Sequence, residues 1–92
     1  MKNLNEEQID TIEQMAELFY SPEEIAINIE VKSDELTAEL HVDDSNVRAA
    51  YLRGWLKGDI SLRKGIAQAA ANGSNPAQQM MREIQKENKI GL

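Results

Sequence analysis

Between Val47 and Gly73 the chain runs for 27 residues without a proline, as VRAAYLRGWLKGDISLRKGIAQAAANG. Ser45 and Asn46 stand ahead of this run and Asn72-Gly73 close it. A serine at a helix entrance accepts a free backbone amide, and a glycine at the exit supplies the left-handed residue that ends the last turn. The run is therefore read as one long helix. Winding it at about 100° per residue places Val47, Tyr51, Gly54, Gly58, Leu62, Gly65 and Ala69 on one stripe. A second strip holds Leu52, Leu56, Ile60, Ala67 and Ala70, with Arg53, Lys57 and Lys64 on a narrow polar stripe between them. A rod that is apolar on two sides needs two packing partners. A 92-residue chain readily supplies one, which makes self-association the expected second.

Three glycines inside a helix each lose roughly 1 kcal/mol relative to alanine. Their stripe therefore predicts that a neighbouring backbone packs closely against it, flanked by Tyr51 and Trp55. The first helix, the fifth helix or the long helix of another copy could fill that role. A kink at Gly58-Asp59 that divides the rod is the alternative.

Charge separates the two halves. Residues 1–50 carry three basic against thirteen acidic side chains, a net −10, while residues 51–92 carry seven against three, a net +4. Such asymmetry points to different tasks or to mutual attraction in an assembly. The organisation read from it is an acidic helix-turn-helix-like bundle over 1–44, followed over 45–92 by the long oligomerisation helix and a C-terminal helix, the whole expected to form one compact unit.

The rest of the chain is also helical in pattern, giving an all-α protein of about five helices. Asn5 caps a first helix over Glu6–Phe19, whose apolar face is Ile9, Ile12, Met15, Ala16 and Phe19. Ser21-Pro22-Glu23-Glu24 has the form of a capping box with proline at the first helical position. It opens a short helix that buries Ile25, Ala26 and Ile29. Ser33 is expected to cap a third helix carrying Leu36 and Leu40, and Asp43-Asp44-Ser45 breaks the chain before the long helix. Ser74-Asn75-Pro76 opens a fifth helix, running to about Asn88, with Ala77, Met80, Met81 and Ile84 available for packing. Lys89–Leu92 is expected to fray.

Ser21–Leu40 has the layout of a helix-turn-helix. The turn in such motifs often takes a left-handed residue, commonly glycine, where this chain has Glu30. The outward side of its third helix carries Asp34, Glu35 and Glu39, with Lys32, Ser33 and Thr37 as donors. DNA affinity rests on phosphate neutralisation by Lys and Arg, so three carboxylates there oppose groove reading. Arg53, Lys57 and Lys64, with Arg63 nearby, form a basic stripe able to follow a nucleic-acid backbone or an acidic neighbour.

Catalysis has little to stand on. His41 is the sole histidine and cysteine is absent, so thiolate metal sites and disulfides are excluded. The Gly54–Gly58 spacing lies within a helix rather than after a strand, unlike a phosphate loop. No enzyme, cofactor or metal is expected. Met1–Asn5 leads straight into acidic residues, without the form of a signal peptide, and no apolar run is long enough to span a membrane. A cytoplasmic protein is the resulting expectation.

Ala50-Tyr51-Leu52-Arg53-Gly54, Leu62-Arg63, Ala67 to Gly73, Pro76-Ala77 and Met80-Met81 together resemble the C-terminal half of small terminase subunits of tailed bacteriophages. Those proteins also carry an upstream helix-turn-helix. The resemblance implies a non-catalytic DNA-packaging subunit in the bacterial host cytoplasm. Such a subunit oligomerises, binds viral double-stranded DNA and presents it to the large terminase ATPase-nuclease. It implies DNA contacts from Arg53, Lys57, Arg63 and Lys64, and from Lys32, Ser33 and Thr37. The expected oligomer interface is Leu52, Trp55, Leu56 and Ile60. A helix-turn-helix transcription regulator and an acidic protein–protein adaptor are the other classes the residues allow.

Overall fold

The computed structural model describes residues 4–87, and these fold into five helices with no strand among them. They are α1 (Glu6–Glu17), α2 (Pro22–Asn28), α3 (Ser33–Glu39), α4 (Asn46–Ala71) and α5 (Asn75–Glu87). The Lys89–Leu92 end lies outside the described residues. The chain divides into two compact units, residues 1–59 and 60–92, so the sequence break at Asp43–Ser45 falls inside the first.

Local chemistry explains where the helices start. Asn5 and Gln8 cap α1 reciprocally: Asn5 Oδ1 accepts the Gln8 amide at 2.7 Å, and Gln8 Oε1 accepts the Asn5 amide at 3.0 Å. Ser21 and Glu24 repeat the arrangement at α2, with Pro22 in the first turn. Ser45 Oγ accepts the amides of Val47 and Arg48 at 3.1 and 3.3 Å, and opens α4. Ser74 Oγ takes the Ala77 amide at 3.3 Å ahead of α5. One start differs from expectation. Lys32, not Ser33, occupies the cap of α3, and no side chain caps that helix. Ser33 is already its first helical residue, and the Asp34 carboxylate accepts the free Glu35 amide at 2.9 Å instead.

The ends of α1, α2 and α4 share one device. After α1, the Tyr20 amide returns to the Met15 carbonyl and Phe19 adopts φ +65°. After α2, the Val31 amide returns to Ala26 and Glu30 adopts φ +61°. After α4, the Ser74 amide returns to Ala69 and Gly73 adopts φ +98°. All three are Schellman closures with a left-handed residue just past the helix. Phe19 therefore leaves α1, which ends at Glu17, and is partly exposed rather than part of the helical face. Glu30 takes the left-handed turn that a helix-turn-helix uses, without glycine. A non-glycine residue there costs roughly 1–2 kcal/mol, and Glu30 is exposed. Glu30→Gly is expected to raise unfolding stability by about 1 kcal/mol, as read by urea denaturation.

In the first unit, Ile12 of α1, Ile25, Ala26 and Ile29 of α2, Leu36 of α3 and Val47 of α4 form one buried cluster. Leu4, Met15, Val31, Leu40 and Tyr51 pack around it. Hydrogen bonds also tie the elements together: Gln8 Nε2 donates to the Ile29 carbonyl at 3.1 Å, and Arg48 Nη1 to the Leu40 carbonyl at 2.7 Å. The second bond satisfies a carbonyl at the end of α3 that has no helical partner.

The glycine stripe now has an owner. Gly54 and Gly58 are buried, and a Cβ on them would collide with the backbone carbonyl oxygens of Glu13 and Glu17 respectively. Four residues along α4 correspond to four along α1, so the two helices run in parallel sense over that turn, backbone to backbone. The α4 helix is unbroken through Gly58-Asp59. Gly65 differs, since a Cβ there would meet nothing within 4 Å. In the second unit, the last turns of α4 and the start of α5 form a hairpin. Ala77 is buried there, and Gln78 Nε2 donates to the Ala70 carbonyl at 3.2 Å.

Candidate functional site

The close approach of α1 and α4 decides what the basic stripe faces. Glu13, whose carbonyl lies against Gly54, extends its carboxylate between Arg53 and Lys57. Arg53 Nε donates to Oε1 at 2.7 Å and Lys57 Nζ to Oε2 at 2.5 Å. The Glu13 side chain is 20% exposed, whereas Arg53 and Lys57 are 54% and 52% exposed. Each cation therefore gives one donor to the carboxylate and keeps the rest of its head in water. Lys64 is exposed and Arg63 half-buried, both in the second unit.

The hydrogen bonds from Lys57, and then Arg53, hold the Glu13 carboxyl below its ordinary range. Glu24 is lowered too, first by the Ser21 amide and then by the Ser21 hydroxyl. A depressed folded-state value stabilises the fold above the unfolded value of about 4.3, and this is lost as pH falls through the folded value. Glu13→Gln should cost up to about 1 kcal/mol at neutral pH, the range of solvent-screened pairs. The difference from the parent chain should close below about pH 4. Paired urea titrations across that range check both sign and window.

On the helix-turn-helix, Lys32 and Thr37 are exposed and Ser33 is half-buried. The outward carboxylates expected of α3 are there: Asp34 and Glu35 are exposed and Glu39 half-buried. The Thr37 carbonyl accepts a hydrogen bond at 2.8 Å from Nδ1 of the exposed His41. Among the described residues no cluster of His, Cys, Asp or Glu could hold a metal ion. No described helix is long and apolar enough to cross a membrane.

The residues named for self-association are all accessible. Leu52, Trp55, Leu56 and Ile60 each expose about half of their surface. Leu52, Leu56 and Ile60 follow one another at single-turn spacing on α4. Trp55 meets Phe19 edge to face, with ring centroids 5.8 Å apart and planes at 73°. Two contributors were not legible in the sequence. They are Glu13, which carries no pattern of its own among the acids of α1, and Arg48. The fork of Arg53 and Lys57 astride Gly54 was the one available signal for an acidic partner.

Compared with protein-family models, curated proteins and solved structures, the chain matches none.

Proposed function

We propose that the chain is a non-catalytic DNA-packaging subunit of the small-terminase kind, which self-associates through α4, binds double-stranded DNA and passes it to a large ATPase-nuclease subunit. The observation that carries this reading is the 26-residue α4 rod with Leu52, Leu56 and Ile60 half-exposed along it. Support also comes from the left-handed turn at Glu30, and from the family resemblance of Ala50–Gly54 and Ala67–Gly73. DNA contact is assigned to the exposed cations of α4, with Lys57 and Lys64 foremost, because α3 opposes phosphate with its carboxylates.

Lys57→Glu should weaken DNA binding without altering the mass of the assembly. Fluorescence anisotropy at two salt concentrations reads both the loss and a shallower salt slope, by roughly one unit per phosphate contact removed. Unchanged affinity would move the DNA site off α4.

One observation favours a second reading, an acidic adaptor for a basic protein. Glu13 already occupies part of the donor capacity of Arg53 and Lys57. No DNA retention at low salt, combined with a stable oligomer, selects the adaptor.

A further inference from the structure

Gly54 and Gly58 are matched by α1, but Gly65 is not. A helical glycine gives up stability relative to alanine, and no described atom of this chain uses the space above Gly65. That space belongs to an open groove of about 430 Å³ in the second unit. Leu62, Gly65, Ile66 and Ala69 of α4 line it from one side, and Ala77 and Met80 of α5 from the other.

We propose that this groove seats the Ile27 face of α2 from a second copy of the chain, joining copies head to tail. The inference rests on the self-association reading above and adds a second, different contact to it. Charge selects the occupant. Residues 60–92 carry five basic against two acidic side chains, a net +3. Residues 1–59 carry five against fourteen, a net −9. Within that acidic unit Ile27 is 77% exposed, the most exposed large apolar side chain among the described residues. Glu23 and Glu24 stand one turn before it and Glu30 three residues after, all exposed. An apolar knob ringed by carboxylates thus meets an apolar groove in a cationic unit, with exposed Lys64 one residue from Gly65. Opposite fields steer the encounter and fix its direction. Because the donating and receiving faces differ, the contact is heterologous and propagates one way around a ring or along a filament.

The chain has no cysteine, so single-cysteine variants report without background thiols. An Ile27→Cys variant is mixed with a Met80→Cys variant, oxidised mildly and run on a non-reducing gel, with mass followed by light scattering. A disulfide needs Cα atoms within about 7 Å. The expected result is a mixed dimer that dominates over either homodimer and fades near 1 M salt, where charges are screened beyond about 3 Å. Adding Gly65→Leu to the Met80→Cys variant should abolish the mixed dimer while circular dichroism retains the helix signal and the melting midpoint does not fall. An assembled protein without the mixed dimer overturns the head-to-tail contact and leaves self-association standing. Persistence of the mixed dimer in the Gly65→Leu variant removes the groove as its seat. A mass that stays monomeric overturns both.

Discussion

Alanine at Gly54 or Gly58 is expected to destabilise the protein by about 2–3 kcal/mol, although alanine is the better helix former by about 1 kcal/mol. The sign is set by what the new methyl meets. At Gly54 it would collide with the Glu13 carbonyl oxygen, and at Gly58 with that of Glu17. These are backbone atoms and cannot swing aside as a side chain can. Retreat of α1 would pull Ile12 and Ala16 out of full burial and separate Glu13 from Arg53 and Lys57. A chain of this length has on the order of 5–10 kcal/mol to lose, so the double variant, at about 4–6 kcal/mol if the two losses add, should keep at most about half of its stability. The same substitution at Gly65, where a Cβ meets open space, should instead stabilise the dilute chain by up to about 1 kcal/mol. Urea midpoints of the three single variants test the argument. Equal shifts at all three positions would show that the backbone contact does not govern the outcome.

The contrast between those glycines marks where sequence reasoning stops. Starts of α1, α2, α4 and α5 were legible because capping is local: Asn5 with Gln8 and Ser21 with Glu24 act across three residues. The stripe of Gly54 and Gly58 predicted a close backbone neighbour but could not choose among α1, α5 and another copy. That choice depends on packing between segments some forty residues apart. Glu13 was hidden for the same reason, lying 40 and 44 residues from the cations it binds. The left-handed Phe19 was illegible because its side chain does not favour that conformation, whereas the motif's layout marked the position of Glu30 although its residue type argued against it. Returning amides from Tyr20 and Val31 impose it, along with the entry to the next helix. Closure of the helix end overrode side-chain preference at both turns. At the candidate site, the apolar strip of Leu52, Leu56 and Ile60 was readable from spacing, since periodicity alone defines a helical face. The partial neutralisation of the basic stripe was not.

Leu56→Asp should dissolve the assembly while leaving the folded subunit nearly as stable as the parent. Leu56 is 53% exposed within one chain, so a carboxylate there remains hydrated in the monomer and opens no cavity. In an assembly that covers the strip, the same carboxylate would be buried without a partner. Truncating or mispairing a buried charge costs about 3–5 kcal/mol, equivalent to a loss of roughly two to four orders of magnitude in association at 1.4 kcal/mol per decade. Sedimentation velocity reads the mass, and circular dichroism the retained helix. Trp55, one residue away and the sole tryptophan, adds a signal from the strip itself: its emission should be bluer in the parent assembly than in the variant. If the variant keeps the parent's mass, α4 does not associate through Leu56, and the packaging role loses the observation that carries it. Loss of mass together with loss of helix would instead place Leu56 in the subunit's own core, contrary to its exposure.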